Sequence, residues 1–255
     1  MLSVGWQYNW SAFTEKAFYD HTLRLRPGLP AASPFAIKTD MQLKMSGLPY
    51  CYGQGGVPQN GPKGKIPYIE DGGKLIGDST FIRDHLEKTY GIDFDVGLTV
   101  EQRARAWAVE RMLEDHLYWA MVQERWMDDA NFAKGPATFF NRMPEGMRER
   151  ARQDTRERVR ASLYAQGLGR HSQAEIADLG ARSLGSLAAM IGDKPYLMGP
   201  EPCGADATAF AFAVSVLTPF FNGPLRDAAC LYPALLSYTG RLMQQYYPEL
   251  ARQAA

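Results

Sequence analysis

The chain changes character near residue 95, and this change limits the folds that it can adopt. Before that point, short apolar runs alternate with helical segments and glycine-rich turns. After it, long segments repeat apolar residues at the three- and four-residue spacing of a helix face, without a clear strand pattern. The sequence therefore predicts an α/β domain at residues 21–95 and an all-α helical domain at residues 96–255. Residues 1–20 are rich in aromatic side chains without a period, and we expect an extension that packs on the body.

The first domain is predicted to run strand, helix, strand, loop, strand, strand, helix. Ser33 followed by Pro34 is typical of a helix start, because serine caps helices and proline favours the first helical position. Gly47 is expected to end this helix, and the Asp-Gly-Gly at residues 71–73 indicates a hairpin. Strands are predicted at residues 23–25, 48–52, 66–70 and 74–76, and helices at residues 34–46 and 79–89.

The second domain is predicted to contain only helices. Thr99 with Gln102, and Ser172 with Glu175, have the spacing of capping boxes at helix starts. The helical patterns cover approximately residues 100–130, 145–168, 173–191, 204–218 and 232–246. The fourth of these contains the most apolar window of the chain, and we expect it to be a buried core helix.

Composition and spacing exclude several classes of protein. The 28 Lys and Arg residues are balanced by 28 Asp and Glu residues, so the basic excess of a nucleic-acid binder is missing. Three cysteines and four histidines are scattered, so neither a disulfide framework nor a metal site is expected. The chain starts without a signal-peptide pattern, and Asp206 and Pro219 interrupt its most apolar window, so no membrane span is expected. These features favour a cytoplasmic protein.

Three short elements of the first domain are candidates for a binding site. Ser33 can stabilise an anion such as a thiolate at the helix start, or it can simply cap its own helix. Pro67 at a strand start is compatible with an ordinary trans bond, whereas a cis Ile66–Pro67 bond would turn the Ile66 backbone toward an extended peptide. Asp78 and Ser79 can cap the second helix or bind the amino and carboxylate groups of an amino acid.

A mixed aromatic and charged stripe is predicted on the first helix of the second domain. Trp107, Arg111, Glu114, Tyr118 and Arg125 follow one another at three- and four-residue spacings that place them near one face. The stripe can line a cleft between the two domains, or it can be an exposed or dimer-facing surface. Both alternatives are compatible with the sequence.

The order of these motifs resembles the N-terminal domain of the glutathione S-transferase superfamily. The resemblance is carried by Ser-Pro-Phe-Ala at residues 33–36, Gly-Lys-Ile-Pro-Tyr-Ile at 64–69 and Gly-Asp-Ser-Thr-Phe-Ile at 77–82. Segments at residues 114–119, 194–199 and 205–208 resemble a bacterial branch akin to the failed-axon-connections and metaxin-like proteins. The resemblance extends over roughly residues 21–248 and implies a thioredoxin-like domain followed by an all-α domain.

The resemblance implies that the chain binds glutathione. Ser33 corresponds to the residue that holds the glutathione sulfur, and Ile66, before a cis Pro67, would pair its backbone with the tripeptide. Ser79 would hold the γ-glutamyl carboxylate, with Asp78 near the amino group, where the family more often has Glu or Gln. Lys65 would reach the glycyl carboxylate. The second substrate would lie against the stripe that contains Arg111 and Tyr118.

The implied function is conjugation of the glutathione thiolate to an electrophilic small molecule. Glutathione is then a co-substrate, no metal is needed, and a homodimer is expected because the superfamily commonly dimerises. The alternative is a non-catalytic glutathione- or protein-binding module on the same fold, since animal relatives in this branch are linked to non-enzymatic roles. Ser33 and Ala36 replace both cysteines of a redox pair, which excludes thioredoxin-type exchange. The family's capping motif also predicts that Asp206 caps the central helix through N–H groups near Cys203.

Overall fold

A sheet of four short strands forms the core of the first domain. The computed structural model describes residues 16–19, 28–53 and 57–251. The strands are β1 (Lys16–Tyr19), β2 (Tyr50–Tyr52), β3 (Tyr68–Asp71) and β4 (Lys74–Gly77). Their order in the sheet is β2-β1-β3-β4, with β1 parallel to β2 and the other neighbours antiparallel.

The first strand corrects the prediction for the N-terminal residues. β1 lies within residues 1–20, which the sequence suggested were an extension, yet it is an inner strand of the sheet. Phe18 lies between Tyr52 of β2 and Ile69 of β3. Four residues are too few to show a period, so long-range pairing on both sides defines this strand. The strand predicted at residues 23–25 lies outside the described residues.

Two helices complete the first domain, and local signals determine where each begins and ends. They are α1 (Pro34–Ser46) and α2 (Ser79–Tyr90). Both end before a glycine with a φ of 66°, a left-handed conformation that glycine adopts without steric cost. The helix boundaries and the β3–β4 hairpin agree with the sequence prediction to within about two residues. α1 packs against α2 and the helical domain, so it is buried on nearly all sides.

After the first domain, the described residues contain no strand, and loops, short 3-10 turns and one π-helical segment separate nine α-helices. These are α3 (Val100–Arg111), α4 (Tyr118–Met127), α5 (Asp129–Lys134), α6 (Glu145–Gln166), α7 (Gln173–Ile191), α8 (Gly204–Leu217), α9 (Pro224–Cys230), α10 (Pro233–Tyr246) and α11 (Pro248–Ala251). Both predicted capping boxes are present, at the starts of α3 and α7. A sheet-containing domain followed by a helical domain therefore confirms the predicted fold class. Across the described ranges, no helix is both long and apolar enough to cross a membrane.

The central helix of the second domain is α8, as predicted. Residues 204–216 are all buried. The helix α8 contacts α1 of the first domain and several helices of the second domain. Asp206 caps it from the third position, because its Oδ2 accepts the Cys203 N–H at 2.8 Å. The same carboxylate accepts the Leu197 N–H at 2.8 Å and the Tyr238 hydroxyl at 2.6 Å through Oδ1. The prediction for this cap is confirmed, and the carboxylate accepts from two donors that were not predicted, the Leu197 N–H and the Tyr238 hydroxyl.

A π-helical segment joins α3 to α4. It runs from Met112 to Leu117, so the single predicted helix at residues 100–130 is interrupted at its middle. Insertions of this kind change which side chains face a neighbouring surface, and they are frequent at functional sites. Here the segment contains Glu114 and directly precedes Tyr118, two members of the predicted stripe.

Candidate active site between the domains

A cavity of about 890 Å³ lies between the two domains. Its walls come from the start of α1, the loop before β3 and the start of α2 on one side, and from α3, the π-helical segment and α4 on the other. All eight predicted site residues line it: Ser33, Lys65, Ile66, Pro67, Asp78, Ser79, Arg111 and Tyr118. Two distant stretches of the chain therefore converge on one site.

Ser33 stands at the N-cap position of α1, but its hydroxyl makes no capping hydrogen bond. The Ser33 carbonyl accepts the N–H groups of Ala36 and Ile37, both at 3.1 Å, which begins the helix through the backbone. The alternative that Ser33 merely caps its helix is therefore not supported. A hydroxyl at the positive end of the helix dipole is available to an anion in the cavity.

The segment before β3 brings backbone groups to the cavity wall. The Ile66–Pro67 peptide bond is cis, as predicted. The Pro67 carbonyl accepts the Asp78 N–H at 3.3 Å and thereby joins this segment to the start of α2. Among the described residues, no backbone group pairs with the N–H or carbonyl of Ile66.

The start of α2 presents a carboxylate and a hydroxyl to the same cavity. Asp78 Oδ1 accepts the Thr80 N–H at 3.0 Å, so this carboxylate does cap the helix. Asp78 also has a φ of 80°, a conformation that few residues other than glycine adopt and that occurs preferentially at functional sites. Ser79 is only 3% exposed and is therefore fixed at the cavity surface.

Two lysines lie at the rim near these groups. Lys65 is exposed at the rim of the cavity. Its positive charge is the one that the family resemblance pairs with the glycyl carboxylate of glutathione. Lys63 also lines the cavity, and its Nζ lies 4.0 Å from the centroid of the Phe81 ring. Lys63 was not predicted as a site residue, although its place two residues before Lys65 in the same loop was a usable signal.

The predicted stripe of the second domain faces the cavity. All five of its residues line the wall, which favours the cleft over the exposed-surface alternative. The Arg111 guanidinium lies 4.5 Å from the Trp107 ring centroid and donates to Glu114 at 2.6 Å and Asp115 at 3.2 Å. These contacts hold Arg111 in one orientation.

Tyr118 lies where the two domains meet. Its ring centroid is 5.0 Å from that of Phe35, in the first turn of α1, and 5.5 Å from that of Trp119. Burial raises the pKa of the Tyr118 phenol, and the positive charge of Arg125 opposes that rise. Arg125 itself donates to the carbonyl of Ala32, the residue before Ser33, at 3.1 Å.

Lys38 supports the wall from behind and was not predicted. Its side chain is fully buried, and Nζ lies 3.0 Å from Glu110 and 2.6 Å from Glu114. Nζ also lies 3.5 Å from the Thr80 hydroxyl oxygen, so one ammonium connects α1, α2 and the helical domain. A single lysine in a helix usually faces solvent, and therefore the sequence offered no signal for this role.

The end of the cavity in the helical domain is aromatic. Trp126, Phe139 and Phe221 line it, and none of the three was predicted as a site residue. Trp126 follows Tyr118 by eight residues on the same helix face, which was a usable signal, whereas Phe139 and Phe221 come from distant segments. Across the residues that the structure describes, no group of three or more His, Cys, Asp or Glu residues is arranged to hold a metal.

Comparisons with known proteins identify the family. The model of the glutathione S-transferase N-terminal domain matches residues 34–131, and that of the glutathione S-transferase C-terminal domain matches residues 180–242. The isoprene-epoxide glutathione S-transferase of Rhodococcus is 30% identical over 233 residues, which cover 86% of this chain and 94% of that protein. The Drosophila melanogaster protein Failed axon connections is 31% identical over 251 residues, covering 93% of this chain and 60% of that protein. A metaxin-1 homolog of Caenorhabditis briggsae is 25% identical, covering 89% of this chain and 74% of that protein.

Solved structures share the fold. A glutathione S-transferase of Ceriporiopsis subvermispora in complex with glutathione has a TM-score of 0.63 and 22% identity, covering 92% of this chain and 98% of that one. The β-etherase LigF of Sphingobium has a TM-score of 0.65 and 15% identity, covering 94% of this chain and 100% of that one. The chain therefore belongs to the glutathione S-transferase superfamily, in the branch that includes the failed-axon-connections and metaxin-like proteins.

Proposed function

We propose that this protein conjugates the thiolate of glutathione to an electrophilic small molecule. The observation that carries the proposal is the Ser33 hydroxyl, which makes no cap and faces the interdomain cavity at the start of α1. The residues expected to bind glutathione surround it in the same cavity. The Rhodococcus relative is named as a glutathione transferase that acts on isoprene epoxide, which supports an electrophilic co-substrate.

Glutathione binding would use the first-domain wall. Among the described residues, no backbone group pairs with the N–H or carbonyl of Ile66, and these are the groups needed to pair with an extended peptide. Ser79 would donate its hydroxyl to the γ-glutamyl carboxylate, and the Asp78 oxygen that does not cap α2 would accept from the ammonium. Lys65 would pair with the glycyl carboxylate at the rim, with Lys63 beside it. The fold neighbour of Ceriporiopsis, solved with glutathione, supports the choice of ligand.

Ser33 would then activate the bound thiol. A free thiol has a pKa of about 8.5, so only a few per cent is thiolate at neutral pH. A hydrogen bond to the charged sulfur contributes about 1.5–3 kcal/mol, and the helix start adds about 0.3–2 kcal/mol. Together they would lower the thiol pKa by roughly 1–3 units, which makes the bound thiol mostly thiolate. The thiolate attacks the electrophile directly, so no covalent bond to the protein is formed.

A second candidate function is a non-catalytic module that binds glutathione or a protein. It is favoured by two relatives, Failed axon connections and the metaxin-1 homolog, whose names state no enzyme activity. It shares the fold and the cavity with the first candidate, but it requires no turnover. We further propose, from the resemblance alone, a homodimer in the cytoplasm.

Calorimetry and a conjugation assay separate these functions. Wild-type protein is titrated with glutathione and then assayed with glutathione and a dinitro-substituted aryl chloride. Binding with turnover supports the transferase, and binding without turnover across several electrophiles supports the binding module. No heat of binding at millimolar glutathione would contradict the proposed glutathione site.

A further inference from the structure

The segment between α8 and α9, residues 218–223, closes one end of the interdomain cavity. Phe221 of this segment is buried and lines the cavity together with Trp126 and Phe139. The segment has no helix or strand of its own, so its backbone is not fixed by regular hydrogen bonding. The shape of this end of the cavity therefore depends on the contacts that hold the segment in place.

The Phe221 ring is packed on three sides. The Arg125 guanidinium lies 4.4 Å from its centroid. Phe220 contacts it edge-on, with the two ring centroids 4.9 Å apart. Gly135 lies against it, since a Cβ at this glycine would be 2.6 Å from Cε1 of Phe221. A ring packed in this way leaves the cavity wall only if the segment that carries it moves.

Asn131 of α5 fastens this segment to the helical domain. The residue is only 1% exposed. Its Nδ2 donates to the Asn222 carbonyl at 2.6 Å, and its Oδ1 accepts the Asn222 N–H at 3.2 Å. The same Nδ2 donates to the Glu124 carbonyl on α4 at 3.3 Å. One side chain thus binds both backbone groups of the residue that follows Phe221.

We infer that Asn131 is a positioning residue that sets, through Phe221, the length of electrophile that the cavity accepts. This inference rests on the proposed conjugation and names the substrate class of the same site, an electrophile with a compact apolar group. Asn131 is not among the described residues that line the interdomain cavity, so it acts on a substrate only through the segment. Without its hydrogen bonds the segment can carry the ring outward, and the apolar end of the cavity becomes deeper.

The test compares two chlorides that share the reacting carbon and the leaving group. Benzyl chloride ends at one ring, whereas para-phenylbenzyl chloride carries a second ring. The glutathione sulfur bonds to the benzylic carbon of both as chloride leaves with the electron pair. We define the length ratio as kcat/KM for the longer chloride divided by kcat/KM for benzyl chloride. Phe221→Ala should raise the length ratio about tenfold and Asn131→Ala about three- to tenfold, mainly through a lower KM for the longer chloride.

Two further variants separate positioning from a general loss of structure. Asn222→Ala is the matched control and should keep the wild-type length ratio, because Asn131 binds the backbone of Asn222 and not its side chain. The double variant Asn131→Ala/Phe221→Ala should show the length ratio of Phe221→Ala alone, since residues that act through one group are not additive. Asn131→Ser and Phe221→Leu replace the alanine variants if circular dichroism shows that those do not fold, and they should shift the length ratio in the same direction.

A higher length ratio in both single variants, without a further rise in the double variant and with glutathione affinity near that of wild type, supports the inference. A wild-type length ratio in Asn131→Ala, or additive rises in the double variant, overturns it. Failure of wild-type protein to conjugate either chloride contradicts the proposed function instead.

Binding without turnover then decides the inference. Tryptophan fluorescence reports on apolar ligands at this end of the cavity, because Trp126 lines it. Asn131→Ala should bind biphenyl more tightly relative to toluene than wild type does, by about three- to tenfold in the ratio of Kd values. An unchanged ratio of Kd values overturns the inference.

Discussion

Asp206 ties the start of α8 to two neighbouring segments, and its removal tests whether this buried cap stabilises the helical domain. The side chain is fully buried, and its two oxygens accept from Leu197, Cys203 and Tyr238 within 2.8 Å. Asp206→Ala leaves two backbone N–H groups without an acceptor, and it leaves the Tyr238 hydroxyl only the Asp206 backbone carbonyl, 3.4 Å away. Each unsatisfied buried donor costs about 1–3 kcal/mol.

The net loss is smaller than the sum, because burying a carboxylate is itself unfavourable. Burial raises the pKa of Asp206 against the lowering effect of its hydrogen bonds to Tyr238, Cys203 and Leu197, so desolvation offsets part of their contribution. We expect a loss of about 3–5 kcal/mol in the free energy of unfolding. For a chain of this size, that corresponds to a decrease in Tm of roughly 6–20 °C.

Thermal and urea denaturation followed by circular dichroism measure this loss. Asp206→Asn should fall between wild type and Asp206→Ala, because the amide oxygen replaces only one of the two acceptors. Asp178→Ala removes an exposed aspartate from α7 and should change the free energy of unfolding by less than about 0.5 kcal/mol. If the Tm of Asp206→Ala stays within about 2 °C of wild type, other groups hold the start of α8 and the reasoning is refuted.

Two further predictions concern buried charges. Lys38→Met should cost about 3–5 kcal/mol in urea denaturation, because it leaves Glu110 and Glu114 buried without their shared cation. Adding Glu114→Gln should recover part of that loss, and a Lys38→Met variant as stable as wild type would contradict this prediction. Burial raises the pKa of Glu124, so the folded state holds this proton to a higher pH than the unfolded state. Wild type should therefore gain stability relative to Glu124→Gln as the pH falls from neutral toward the usual value of 4.5, and a pH-independent difference would rule this out.

Features that depend on local chemistry could be predicted from the sequence. A proline at the first helical position and a glycine after the last turn define α1 without reference to the rest of the fold. The same holds for the capping boxes of α3 and α7 and for the Asp206 cap, in which donor and acceptor are three residues apart. The motifs around Ser33, Ile66 and Ser79 were assigned to one site because their order resembles a known family.

Features that depend on tertiary contacts could not be predicted. β1 has only four residues, and its place in the sheet comes from pairing with β2 and β3. The buried ammonium of Lys38 is stabilised by Glu110 and Glu114, which lie 72 and 76 residues away along the chain. Phe139 and Phe221 reach the cavity from separate segments whose meeting no local pattern encodes.

The central claim is that Ser33 holds the glutathione sulfur as a thiolate, and the pKa of the bound thiol tests it most directly. Ultraviolet absorbance of the thiolate is titrated against pH with glutathione bound to wild type, to Ser33→Ala and to the exposed control Ser186→Ala on α7. We expect Ser33→Ala to raise the thiol pKa by about 1–2 units and to slow aryl chloride conjugation by about 10–100-fold, with glutathione affinity within a few fold of wild type. The Ser186→Ala protein should titrate as wild type does. Equal thiol pKa values in wild type and Ser33→Ala would contradict the claim.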